Sequence, residues 1–209
     1  MKKNLYLLSL LLLLSTVSFA QKANKGWYSL FDGKSFDGWK VGDNASTFTI
    51  ENGSIAVNGP VAHIFYEGPV KNHDFKNFEF KAQVMTTPGS NSGIYFHTEF
   101  QQGGWPAKGY EVQVNNSHTD WRRTGSLYGI QDVKDTLVKD NVWYTEHIIV
   151  KDKHVTIKIN DKTVVEYDEP AELPKERGGR KISSGTFALQ GHDPKSKVYF
   201  KDIMVKPLP

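Results

Sequence analysis

The sequence predicts an all-β protein built as a β-sandwich or jelly roll. Helical periodicity is nearly absent beyond the first twenty residues. Short runs in which apolar and polar residues alternate recur along the rest of the chain. Turn signals rich in Asn, Asp and Gly separate them. About ten or more short strands spaced by turns is the pattern of two packed antiparallel sheets.

The chain opens on "MKKNLYLLSLLLLLSTVSFA". Lys2 and Lys3, an unbroken apolar run and an ending in small residues read as a secretory signal peptide over residues 1–20. A retained membrane anchor is the rival reading, but the apolar core is short of the about 20 residues that a span needs. Cysteine is absent from the whole chain, which excludes lipid attachment at the cleavage point. Residues 21–209 show no internal repeat and no linker, and are expected to form one domain.

The first element, "LFDGKSFDGW", reads as structural. Phe31 and Trp39 pack while the Asp-Gly pairs turn. In "TFTIENGSIAV", Asn52-Gly53 is a two-residue hairpin signal. "FKNFEFKAQVMT" places Phe78, Phe80, Ala82 and Val84 on one face. "SGIYFHTEF" sets Tyr95, His97 and Glu99 opposite Ile94, Phe96 and Thr98. "GYEVQVNNS" sets Glu111, Gln113 and Asn115 opposite Val112 and Val114. Two strands and part of a third fit "YTEHIIVKDKHVTIKINDKTVVEY", with turns at Lys151-Asp152-Lys153 and Asn160-Asp161-Lys162. "DEPAELPKERGGRK" reads as an exposed loop. "GTFALQGH" and "KVYFKDIMVKPL" close the chain.

Composition narrows the function. With no cysteine, export to an oxidising compartment brings no disulfide framework, and packing alone must hold the fold. The formal charge of +3 falls close to neutral once Lys2 and Lys3 are removed with the leader. No basic stripe is present, so nucleic acid is not an expected partner. A periplasmic or secreted protein, free of the membrane after signal removal, is the expected product.

If one sheet is curved, its polar residues line a concave face. Three strands offer such sets: Tyr95, His97 and Glu99; Glu111, Gln113 and Asn115; and Gln190 with His192. Each set taken singly is equally at home facing bulk water. A two-carboxylate glycosidase places its carboxyl groups about 5 Å apart for retention and about 6.5–9.5 Å apart for inversion. Positions two apart on a strand lie roughly 6.6 Å apart. Gln113 and Asn115 do not ionise, so the Glu111 strand does not supply that pair alone; Glu99, Asp120 or Asp132 would have to complete it. A His–Glu–His set also invites a divalent metal as an alternative, without the tight spacing of a zinc helix. His63, His73, His118, His147 and His154 read as surface or loop residues. In "TDWRRTGSLYG", Trp121 and Tyr128 are able to stack on a sugar ring and Arg122 and Arg123 to donate to oxygens. The bland alternative is a loop with Trp121 packed beneath it. Trp105, in a Gly-rich loop, is placed to form a cleft rim.

Several of these stretches resemble one family. "LFDGKSFDGW" resembles its L-F-N-G-K-x-L-x-G-W opening, and "NSGIYFH" its N-S-G-I-x-F-R strand. "GYEVQVNNS" resembles G-x-E-x-Q-I-x-D, "RTGSLYG" resembles T-G-A-L-Y, and the closing segment resembles G-x-I-x-L-Q-x-H-G-x-x-V-x-F-R-N-I-x-I. The family is that of 3-keto-disaccharide hydrolase domains. The resemblance implies a concanavalin A-like lectin/glucanase sandwich and cleavage of glycosides whose sugar carries a C3 ketone made by a separate oxidoreductase. A ketone at C3 acidifies the C2 proton, so elimination and hydration need a base, an electrophile and an acid, but no carboxylate nucleophile. On this resemblance Glu111 or His192 is the base, and His97 or Arg123 polarises the ketone. Gln113, Gln190 and Tyr128 orient hydroxyls, Trp121 stacks, and Asn91, Tyr95 and Trp105 join the substrate-binding set. The sequence departs from the family where His97 replaces the usual Arg, and where Asn115 and Asn116 replace an Asp. A non-catalytic sugar-binding module of the same fold is the second reading.

Overall fold

The computed structural model describes residues 26–209; the expected signal peptide lies outside the described residues. The strands are β1 (Tyr28–Ser29), β2 (Trp39–Val41), β3 (Phe48–Glu51), β4 (Ser54–Val57), β5 (Ala62–Tyr66), β6 (Phe78–Thr86), β7 (Ser92–Thr98), β8 (Tyr110–Val114), β9 (Tyr144–Lys151), β10 (His154–Ile159), β11 (Lys162–Asp168), β12 (Thr186–Gly191) and β13 (Val198–Pro207). They form two antiparallel sheets. The larger runs β11-β10-β9-β6-β13-β4-β3, with β1 also on β13; the smaller runs β2-β5-β12-β7-β8. Among the described residues, the only helices are short 3₁₀ turns, and none is long and apolar enough to cross a membrane.

The alternation in the sequence decides which side chains meet between the sheets. Phe78, Phe80, Ala82 and Val84 of β6 face Phe96, Phe187, Leu189 and Ile94 in one continuous core. Phe187 stacks against Phe75, Phe78 and Phe80 with ring centroids 4.7–4.8 Å apart, a spacing that adds about 0.5–1.5 kcal/mol per pair to area burial. Asn52 and Gly53 both take positive φ and close the β3–β4 hairpin, as their sequence requires. Asn160 and Asp161 do the same between β10 and β11. Phe31 and Trp39 are buried, and the Trp39 indole N–H donates to the Leu30 carbonyl at 2.6 Å.

The smaller sheet positions the site. Every residue of β5, β7, β8 and β12 is buried, on both faces. One face, carrying Ile64, Ile94, Val112 and Leu189, enters the core. The other carries His63, Tyr95, Glu111, Gln113 and Gln190. Cross-strand register places Tyr95 beside Glu111, Gly93 beside Gln113, and Gln190 beside His63. The polar face, expected to line a concave surface, is thus the floor of a cleft.

Candidate active site

The cleft, about 280 Å³, is lined by Asn91, Tyr95, Trp105, Glu111, Gln113, Tyr128, Arg180, Gln190 and His192, with Pro106 and Gly109. Glu111 is a buried part of its lining. Its Oε2 accepts the Tyr95 hydroxyl at 2.9 Å, and its Oε1 accepts the Gln190 amide at 2.8 Å. The same Gln190 amide donates to the Tyr95 oxygen at 3.0 Å. Burial pushes the Glu111 carboxyl up to about 7; the Tyr95 and Gln190 hydrogen bonds and the nearby Arg180 cation pull the other way. Burial and the adjoining carboxylate hold the Tyr95 phenol well above its ordinary range, so it stays a donor.

The "NSGI" segment now has a physical reason. A Cβ on Gly93 would lie 2.4 Å from Glu111 Oε1 and 2.9 Å from its Cγ. Only a glycine leaves room for the carboxyl to lie across β7. Beside it, the Gln113 amide donates to Asn91 Oδ1 at 2.9 Å. The amide oxygens of Gln113 and Gln190 are buried and take no donor. Two acceptors without partners in a cleft floor suit a ligand rich in hydroxyl donors.

Of the residues expected to form the site, Glu111, His192, Gln113, Gln190, Tyr95, Tyr128, Trp105 and Asn91 come together. His97, Arg123 and Trp121 do not line the cleft. His97 sits at a bulge. Thr186 pairs with Thr98 and Phe187 with Phe96, so position 97 is the extra residue, at φ 55°. That turn sends its ring against Phe78 and Phe96, at 5.5 and 5.3 Å, away from the cleft. Its Nδ1 accepts the Ser183 N–H and its Nε2 meets the Lys76 carbonyl. Arg123 is spent on a loop: one guanidinium nitrogen donates to Asn115 Oδ1 and to the carbonyls of His118 and Asp120. Asn115 ties the same loop through Asp120 and Arg122. Trp121 is exposed and lies against the Arg122 guanidinium, which also lies over the Tyr128 ring. Glu99 is exposed and pairs with Lys108.

Arg180 is the cleft residue that pattern reading missed. It lies in the loop expected to be merely exposed, and its guanidinium donates to the Tyr128 carbonyl. Glu169 secures that loop by accepting from Lys153, Tyr110 and the Ile182 N–H. A single arginine in a polar loop carries no periodic signal. His63 and His147 are buried, contrary to the surface reading. His63 borders the cleft with its ring 5.4 Å from Tyr95 and 5.6 Å from Trp105.

The His–Glu–His metal set is not assembled, since His97 and Glu99 point elsewhere. His118, His192 and Asp193 do bring ligating atoms within 4.8 Å of one another. Most of their lone pairs are already used. Asp193 Oδ1 accepts the Lys195 and Ser196 N–H groups at 2.8 and 3.2 Å; its Oδ2 accepts Ser196 Oγ at 2.7 Å and meets His192 Nδ1 at 2.9 Å. His118 Nδ1 accepts the Asp120 N–H at 3.1 Å, which puts the neutral ring's proton on Nε2. These contacts commit Asp193 and His118 Nδ1 to hydrogen bonds and leave His192 Nε2 open to the cleft side chains.

Comparison with known proteins agrees with the fold and the motifs. A candidate glycosyl hydrolase from Parabacteroides distasonis superposes with a TM-score of 0.73 at 26% identity, covering 88% of this chain and 94% of that one. A carbohydrate binding module from Bacillus subtilis shares the fold at a TM-score of 0.57 and 14% identity, covering 81% of this chain and 96% of its own. The protein is thus a lectin-like β-sandwich. A 3-keto-disaccharide hydrolase from Bacteroides thetaiotaomicron is 31% identical over an alignment of 169 positions that covers 68% of this chain and 58% of that relative. The match therefore spans little more than half of the relative's length. The sequence profile of the 3-keto-alpha-glucoside-1,2-lyase-like domain matches residues 26–206, and the protein belongs to that family.

Proposed function

We propose that the cleft cleaves glycosides of 3-keto-glucose, 3-keto-disaccharides among them, by elimination and hydration. The observation that carries this reading is the cleft's single carboxylate. Glu111 is the one acid among the described lining residues, so a two-carboxylate mechanism lacks its partner. A keto-sugar needs only one. Its C3 ketone makes the C2 proton removable, and a carboxyl poised near 7 is matched to removing it at neutral pH. Arg180 takes the role first expected of His97 or Arg123: a fixed cation for the negative charge that develops on the C3 oxygen. Gln113 and Gln190 hold hydroxyls through their unpartnered oxygens, and Trp105 and Tyr128 close over the ring.

The ketone has to be installed by a separate oxidoreductase, and the leader sequence supports a periplasmic or secreted site of action. A non-catalytic sugar-binding role is the second reading, supported by the binding-module neighbour of the same fold.

Incubation with a 3-keto-glucoside and its parent glucoside separates the two. Aglycone release from the keto compound alone is expected. Glu111→Gln is expected to lower that rate by about 10²–10⁴-fold. Binding of both compounds without release of either would leave only the binding reading.

A further inference from the structure

Beyond the base and the cation, an elimination needs an acid for the departing oxygen. We propose that His192 is that acid and that Asp193 is its positioning residue; this assignment rests on the keto-glycoside reading above.

Among the lining groups, His192 is the one whose ring proton is held in place by a carboxylate. Arginine does not give up its proton at any relevant pH. The Tyr95 hydroxyl is committed to Glu111. His192 follows Gln190 by two positions, directly after β12 ends at Gly191, and lines the same cleft. The Gln190 amide touches the Glu111 carboxylate. Gln190 thus links the two groups: its amide contacts the base, the acid follows it two residues on, and all three line one cleft.

Asp193 fixes which nitrogen works. Its Oδ2 faces His192 Nδ1 at 2.9 Å, and its other contacts are two backbone N–H groups and the Ser196 hydroxyl. Four donors hold it ionised, with its carboxyl lowered to about 2. The Nδ1 proton is thereby committed to Asp193, and Nε2 is left as the exchanging nitrogen. Trp105 and His118 brace the ring, with centroids 5.6 and 5.5 Å away.

The cycle closes without another reagent. Glu111 takes the C2 proton, and the C–H pair becomes the enolate double bond between C2 and C3. As the C3 carbonyl re-forms, that pair moves between C1 and C2 and the C1–O bond breaks. The departing oxygen keeps the bond's electrons and takes the proton from His192 Nε2. Water then bonds to C1 and returns its proton to Nε2, while Glu111 returns its proton to C2.

The test uses methyl and 4-nitrophenyl 3-keto-α-glucosides, with wild type, His192→Ala and Asp193→Asn. Methanol needs a proton as it leaves; 4-nitrophenolate does not. Both variants are expected to lose about 10²-fold or more on the methyl glycoside and less than tenfold on the nitrophenyl glycoside. Exchange of the C2 hydrogen with solvent deuterium, which needs only Glu111, should persist in His192→Ala. Equal losses on both aglycones, or loss of C2 exchange, would overturn the assignment. So would abolition of wild-type activity by a chelator with recovery on adding a divalent ion. A wild type that releases neither aglycone removes the keto-glycoside reading and this assignment with it.

Discussion

Two buried glutamates show how residues of one type diverge with their surroundings. Glu111 has hydrogen-bond partners and a nearby cation, and its carboxyl rises only to about 7. Glu146 lies on the core side of β9 with neither oxygen partnered, and burial alone drives its carboxyl well above the ordinary range. Both cost stability in the same sense. An unfolded glutamate loses its proton near 4.5, while the folded one keeps it; stability therefore falls as pH rises from there through the folded value. Replacing Glu111 with Gln should gain about 3 kcal/mol at pH 8 and almost nothing at pH 4, measured by urea unfolding at the two pH values. Glu146→Gln should also raise the urea midpoint at pH 8 but leave keto-glycoside turnover intact. Stabilisation without loss of rate would separate a core acid from a working one.

At the level of strands, β7 carries two positions whose backbone decides their use. Gly93 leaves space for the Glu111 carboxyl. Gly93→Ala would put a methyl group against the end of a flexible side chain, which is able to move aside. The fold should survive, with little change in melting temperature, while kcat/KM drops by about 10²-fold as the base is displaced. His97 behaves in the opposite way. Its ring packs in the core and its nitrogens join two loops, so His97→Ala should cost about 1–3 kcal/mol of stability, with the catalytic rate on folded protein largely kept. The sequence pattern reads β7 as a strand and places Tyr95 correctly, because alternation is a property of regular pleats. It misplaces His97 because an extra residue in one strand is invisible to a period of two. Arg180 escapes for a related reason: its position depends on how Glu169 anchors a loop, and loop anchoring leaves no periodic trace. Of the eight expected site residues that meet, Tyr95, Glu111, Gln113 and Gln190 sit on strands whose facing follows from hydrophobic alternation, Asn91 and His192 directly flank such strands, and Trp105 and Tyr128 arrive on loops.

For the whole molecule, the balance of buried titratable groups sets a pH window. Burial lowers His63, His97 and His147 to about 4; the His192 charge adds to the effect at His63, and the Glu79 carboxylate opposes it at His147. Their unfolded forms take up protons near 6.5, so stability is lost as pH falls from there toward 4. Three histidines pull in this direction against two glutamates in the other. With both glutamates replaced by Gln, a melting temperature that declines from neutrality to pH 5 is expected from thermal scans across pH; that variant being equally stable at pH 4.5 and 7 would contradict the burial of these rings. The distribution of the cleft across the fold has a different consequence. Glu111, Gln190 and Tyr95 stand on paired strands, whereas Trp105 and Arg180 arrive on connecting segments that meet at the Lys108–Gly179 bridge. Selectivity is therefore heritable apart from the reacting centre on one side of the cleft: insertions or exchanges in the Trp105 segment can retune which aglycone is accepted while the strands keep Glu111 and the other segment keeps Arg180.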